Sequence, residues 1–184
     1  MAAVGSGSAN DHAAALLQSA MAGDQHAYAE LAGAHRNRLW SVCYRITGNP
    51  EDAEDALQET LLAAWRGLAT FRGDSAFSSW LYRIASNAAL AQAKRRPQTL
   101  TIENHEFAAE GDFTTDVAWS DLIQEALDNL PEHYRVPFVL RVYGDLTYQD
   151  IADQLAIPVQ TVRSRLSRAK RALRENLGDP EDRS

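Results

Sequence analysis

The stretch that most constrains this chain is Leu146 to Leu177, LTYQDIADQLAIPVQTVRSRLSRAKRALRENL. It reads as a short helix, a tight turn and a longer basic helix. Thr147 is placed to cap the first helix, whose inward face is predicted as Ile151, Ala152 and Leu155. Ala156-Ile157-Pro158 forms the turn, because proline has a fixed φ and is tolerated best where a helix begins. In the second helix Val159, Val162, Leu166, Ala169 and Leu173 recur on one face. The other positions carry Arg163, Arg165, Arg168, Lys170, Arg171 and Arg174, with no acid among them. That is a third of the chain's 18 Lys and Arg. A helix with one apolar stripe and one cationic face, set on a shorter helix, is the form that enters a DNA major groove. Thr161, Ser164 and Ser167 add small hydroxyls that can meet bases or phosphates without crowding. A solvated amphipathic helix at a domain end is the plain alternative. The short helix, the proline-marked turn and the hydroxyls together argue against it.

The rest of the chain is acidic. Its 25 Asp and Glu against 18 Lys and Arg leave a net charge of −7, which argues against unspecific coating of nucleic acid. Positive charge must therefore be concentrated locally, and DNA binding by the chain alone is expected to be weak. At 184 residues one or two small domains are expected. The one cysteine, Cys43, excludes an internal disulfide and a cysteine-based zinc site, and on its apolar helical stretch it reads as a buried spectator. No apolar run approaches membrane-spanning length and no signal peptide is visible, so a cytoplasmic protein is expected. His12, His26, His35, His105 and His133 show no metal-ligand spacing, and neither a phosphate-binding loop nor a nucleophile elbow is present. The sequence suggests no enzyme, cofactor or small-molecule substrate.

Taken in order, residues 1–10 read as a disordered tail and Asp11 as the cap of a helix to about Ala22. A longer helical run is predicted from about Asp24 to Thr47, ending at Gly48. Asn49-Pro50 then starts a helix to about Arg66. Ala53, Ala56, Leu57, Thr60, Leu61, Ala64, Trp65 and Leu68 form its core stripe. Asp52, Asp55, Gln58, Glu59 and Leu62 lie opposite. The helix dipole accounts for part of Asp52 and Asp55, but an acidic stripe ending in an outward leucine suits a basic, partly apolar partner helix. After the loop Phe71-Arg72-Gly73-Asp74-Ser75, Ser75 is expected to cap a helix to about Arg95. Its core stripe is Phe77, Trp80 or Leu81, Ile84, Ala85 and Ala88, and Tyr82, Arg83, Ser86 and Asn87 are expected outside. Aromatics, an amide and cations beside a glycine-containing loop can stack on unpaired bases and neutralise phosphate. Between Pro97 and Tyr134 there are nine acids and no Lys or Arg. An acidic linker over about 97–117 is expected to join two helical domains, 11–96 and 118–178, with a polar tail at 179–184. Helices resume near Trp119, with Leu122, Ile123, Ala126, Leu127 and Leu130 inward, and at Arg135–Tyr143, where Pro137 sits in the first turn. The expected fold is all-α.

Four stretches, DAEDALQETLLAAWR (Asp52–Arg66), FRGDSAFSSWLYRIASNA (Phe71–Ala88), LPEHYRVPFVLRVYGDLTYQDIADQL (Leu130–Leu155) and IPVQTVRSRLSRAKRAL (Ile157–Leu173), resemble the extracytoplasmic-function class of bacterial sigma factors. The match spans nearly all of residues 12–177. The resemblance implies two helical domains that bind RNA polymerase core and direct it to promoter DNA. It places Asp52, Asp55, Gln58, Glu59 and Leu62 on the clamp coiled coil of the largest polymerase subunit. It places Arg72, Gly73, Asp74 and Ser75 around a flipped base of the −10 element, with Trp80, Arg83 and Asn87 facing the separated strands. Trapping an unstacked base offsets a few kcal/mol of unpairing cost. Arg163, Ser164, Ser167 and Arg168 are implied to read the −35 element, and Thr161, Arg165 and Arg171 to hold phosphates, with Arg165 alternatively pairing inside the domain. The linker, with Glu103, Glu106, Glu110, Asp112 and Asp116, is implied to thread the RNA exit path. A cognate anti-sigma factor is implied as regulator. Ala156 departs from the family, which often has Gly or Asn in this turn; a left-handed residue there costs roughly 1 kcal/mol. The competing reading is a stand-alone helix-turn-helix regulator that binds duplex DNA without polymerase.

Overall fold

The computed structural model describes residues 5–95 and 117–177, and all regular structure in them is helical. Residues 1–4, 96–116 and 178–184 lie outside the described residues; they include all of the expected linker except Val117, which is helical. No described helix is long and apolar enough to cross a membrane.

The N-terminal domain holds α1 (Gly5–Met21), α2 (Gln25–Gly33), α3 (Arg36–Thr47), α4 (Pro50–Gly67) and α5 (Phe77–Arg95). α1 begins at Gly5, so Asp11 lies inside the helix and not at its cap. The long run predicted over 24–47 is two helices. Asp24 caps α2 by accepting from the His26 and Ala27 amides, and the chain breaks at Ala34–His35 before α3. Gly48, at φ 68°, ends α3 in the left-handed conformation that glycine adopts without a Cβ penalty. Asn49 then accepts from the Asp52 amide at 2.9 Å, ahead of Pro50 in the first turn of α4. α5 opens at Phe77, where the Ala76 carbonyl accepts from Trp80; the cap position is thus Ala76 rather than Ser75.

α3, α4 and α5 enclose the main core. Leu39, Val42, Cys43 and Ile46 face Ala53, Ala56, Leu57 and Ala64, and both meet Leu81, Tyr82, Ala85 and Ala89. Alanine at three of the four α4 positions lets the helix axes approach closely. Thr60 is buried in the same stripe because its hydroxyl donates to the Ala56 carbonyl at 2.6 Å. Burial pushes the Cys43 thiol up to about 12, so it is an inert packing group. α1 and α2 form a flanking pair, with Ala20 and Ala27 closing over Leu68 and Phe71.

The C-terminal domain holds α6 (Val117–Asp128), α7 (Glu132–Val142), α8 (Tyr148–Leu155) and α9 (Val159–Leu177). Val136, Leu140, Leu146, Ile151, Ala152, Val162 and Leu166 pack one half of its core, and Ala126, Leu127, Leu130, Ala169 and Leu173 the other. Leu122, expected inward, is exposed. α7 starts three residues earlier than the sequence suggests, which puts Pro137 beyond the first turn. Its ring is buried, and the helix runs on through it to Val142.

Candidate nucleic-acid interface

The α8–α9 unit is built by local capping. Thr147 Oγ1 accepts from the Asp150 amide at 3.1 Å, while Asp150 Oδ2 accepts from the Thr147 amide at 3.0 Å, a reciprocal capping box. Ala156 ends α8 at φ 52°, ψ 46°, and the Ile157 amide donates back to the Ala152 carbonyl at 3.0 Å. The left-handed turn is therefore made by an alanine. The Pro158 carbonyl accepts from Thr161 and Val162, setting the first turn of α9.

With Val162, Leu166, Ala169 and Leu173 buried, geometry puts Arg163, Ser164, Ser167, Arg168 and Arg171 on the solvent side of α9. Thr161 and Arg165 are half-buried at its margin. Ser164 donates to the Thr161 carbonyl, and Arg171 meets Glu175 at 3.9 Å with both side chains exposed. Such a surface pair contributes little and leaves Arg171 available. Arg168 Nη1 donates to the Tyr134 hydroxyl at 3.2 Å. Sequence reasoning placed a possible intradomain partner at Arg165 and did not anticipate Tyr134, which lies too far away in sequence for a helical spacing to reveal it.

The second cluster lies on the loop after α4 and on α5. Arg72 and Asp74 are exposed and 3.5 Å apart, and Gly73 between them takes φ 75°. Ser75 is half-buried. Trp80 packs at the base of the loop, its ring 5.2 Å from Phe71 and 5.8 Å from Phe77. Its edge lies beside Gly67, where an added Cβ would stand 3.4 Å from the ring. Arg83 is half-buried and Asn87 exposed on the following turns. Tyr82 and Ser86, expected outside, are buried. Tyr82 enters the main core, and Ser86 is covered by a residue of the other domain.

The third face is on α4. Asp55, Gln58, Glu59 and Leu62 are exposed and Asp52 half-buried, all opposite the core stripe. Asp55 accepts from Gln92 Nε2 at 3.2 Å. Leu62 keeps 50% of its surface in solvent, high for a leucine in an otherwise well-sorted helix.

The two domains also touch. Val139 of α7 is buried in the main core of the N-terminal domain. Arg45 of α3 is buried, donates to Gln124 Oε1 at 2.9 Å and lies over the Tyr44 and Tyr143 rings. Gln124 in turn donates to Asp128, which also meets Arg135 at 3.2 Å. Burial raises the Asp128 carboxyl above its ordinary value, against the opposing pull of Arg135, Gln124 and Arg45.

Residues 31–98 match the sigma-70 region 2 family and residues 120–173 the sigma-70 region 4 family. SigM of Mycobacterium tuberculosis, an extracytoplasmic-function (ECF) RNA polymerase sigma factor, is 35% identical over 177 residues, spanning 96% of this chain and 90% of the relative. The chain belongs to the ECF sigma factors. SigW of Bacillus subtilis, another of them, is 31% identical over 172 residues, 85% of this chain and 92% of SigW. CnrH, solved in complex with the cytosolic domain of CnrY, has the same fold at a TM-score of 0.66 and 23% identity, covering 94% of this chain and 99% of CnrH. RpoE of Bartonella quintana, solved with the anti-sigma factor NepR, superposes at a TM-score of 0.63 and 21% identity, covering 83% of this chain and 99% of RpoE. In this ECF sigma factor, then, region 2 contains α3 to α5 and region 4 contains α7 and α8, with most of α6 and α9.

Proposed function

We propose that this sigma factor divides promoter recognition among the three faces described above. α4 docks on the clamp coiled coil of polymerase core through Asp52, Asp55, Gln58, Glu59 and Leu62. The loop Arg72–Ser75 holds a flipped −10 base, and Trp80, Arg83 and Asn87 meet the separated strand. α9 reads the −35 element with Arg163, Ser164, Ser167 and Arg168, while Thr161, Arg165 and Arg171 hold phosphates. The acidic segment before α6 follows the RNA exit path. The protein works in the cytoplasm, and its regulator is an anti-sigma factor that covers these faces. RpoE was solved with the anti-sigma factor NepR; the same kind of partner is proposed here because the fold is shared.

The observation that carries this reading is the placement of exposed Arg163, Ser164, Ser167 and Arg168 directly opposite the buried Val162–Leu173 stripe. That geometry presents bases with bidentate arginine donors from a rigid helix. A gel shift of candidate promoter fragments, at stated salt and with or without bacterial polymerase core, tests it. Specific binding is expected only with core. Tight specific binding by the protein alone, unchanged by core, would instead establish a stand-alone helix-turn-helix regulator.

A further inference from the structure

The proposed strand-facing helix α5 is partly occupied by region 4. Gln154 of α8 donates its amide to the Ser86 hydroxyl, to the Arg83 carbonyl at 3.4 Å and to Asn87 Oδ1 at 3.5 Å. Asp150 of the same helix stands 3.8 Å from the Arg83 guanidinium, at 23% and 38% side-chain exposure. Ser86 is fully buried under this contact. A second clasp forms at the loop between α7 and α8. Arg38 of α3 donates to the Tyr143 carbonyl at 2.7 Å and to Asp145 Oδ2 at 2.6 Å, while lying over the Tyr82 ring. Asp145 reaches that position at φ 53°, a conformation that costs a non-glycine residue energy and needs a reason to persist. Leu90, one turn further along α5, packs against both the region 2 core and the α7–α9 core and so adds an apolar contact between the regions.

We propose that the free sigma factor is self-masking: α8 and the loop before it clamp onto α3 and α5, withholding Arg83 and Asn87 from single-stranded DNA until region 4 lifts away. The inference rests on α5 being the strand-facing helix. A strand must displace Asp150 from Arg83 and Gln154 from Asn87 Oδ1 before it can engage those atoms. The acidic stripe on α4 and the cationic face of α9 remain exposed in the same closed arrangement. Polymerase can therefore dock on α4 before opening, and the order becomes docking, separation of the domains, then strand capture. A masked site binds with an affinity reduced by the fraction of open molecules.

The double variant Arg38→Gln/Gln154→Ala removes one residue from each clasp, neither of them proposed to touch DNA or polymerase. Gln149→Ala is the control, because Gln149 lies on α8 and its side chain donates to Asp153 of the same helix, away from both clasps. Small-angle scattering reads the opening, and fluorescence anisotropy with a short fluorescein-labelled pool of random single-stranded DNA reads the mask. Arg45–Gln124 and the Val139 contact still join the regions in the double variant, so it should shift toward larger mean dimensions than wild type and bind the DNA at least about tenfold more tightly, with the control matching wild type. Adding Asn87→Ala to the double variant should abolish that gain. Unchanged scattering and affinity, or an extended variant with wild-type affinity, would overturn the mask. A gain that survives Asn87→Ala would overturn it too, by removing α5 as the masked face. The core-dependent gel shift can fail independently of all three results, which separates this idea from the function it extends.

Discussion

At the scale of single residues, Ala156 records a conflict that was resolved in favour of tertiary geometry. The turn between α8 and α9 needs a left-handed residue, and φ 52° is imposed on a side chain with a Cβ. The capping box at Thr147 and the burial of Ile151, Ala152 and Val162 on either side hold it there. Ala156→Gly should therefore raise stability by a few tenths of a kcal/mol, at most about 1 kcal/mol, through removal of the left-handed penalty less the entropy of a more flexible unfolded chain. Thermal unfolding of the two proteins measures it. A glycine variant less stable than wild type would mean that the turn is not strained. Arg168 makes the complementary point. Its bond to the Tyr134 hydroxyl holds a guanidinium in place before any DNA arrives, which lowers the entropy cost of using it.

Among elements, α9 and α5 allow recognition and melting to be separated. Arg163 is exposed on α9 and supports no packing, so Arg163→Ala should cost about 1–3 kcal/mol at −35 sequences and relax specificity there. Asn87→Ala should instead leave the closed promoter complex intact and depress opening, read as lost permanganate reactivity of unpaired thymines. Normal transcription from every promoter by Arg163→Ala, or wild-type footprints with Asn87→Ala, would refute the respective assignment. Trp80 is a poorer probe than its sequence position suggests. It braces Phe71, Phe77 and Gly67, so truncation would disturb the loop as well as any base contact.

At the scale of the whole molecule, the two regions share core. Val139 belongs to region 4 by sequence, yet it is fully buried among region 2 residues. Val139→Ala should destabilise region 2 by on the order of 2 kcal/mol, the cost of lost methyl burial and the cavity left behind. Three of the four tryptophans, Trp40, Trp65 and Trp80, lie in region 2. The expected result is a lower urea midpoint by tryptophan fluorescence, moving together with the midpoint by circular dichroism. A fluorescence midpoint that stays put would show that the regions unfold independently.

Local chemistry made much of this protein legible from sequence alone. Helical periodicity predicted the apolar stripes of α4 and α9, the Asn49-Pro50 pair and Thr147 marked helix starts, and the run of arginines identified the cationic face. Those signals act over three or four residues, which is the range a helix makes visible. The break at Ala34–His35 escaped notice because the apolar pattern continues across it, and no proline marks the turn. Tyr82 and Ser86 were assigned to solvent because a single helix cannot reveal what packs on its second side. Only the tertiary structure decided that Val139 crosses into region 2, that Arg38 and Arg45 grip region 4, and that Gln154 lies on α5. These pairs are separated by a linker without periodicity, and their energies exist only once both domains have folded. The sequence by itself determined where most of the helices form and which face α4 and α9 bury. The fold decided which exposed faces stay open and which one the chain covers with itself.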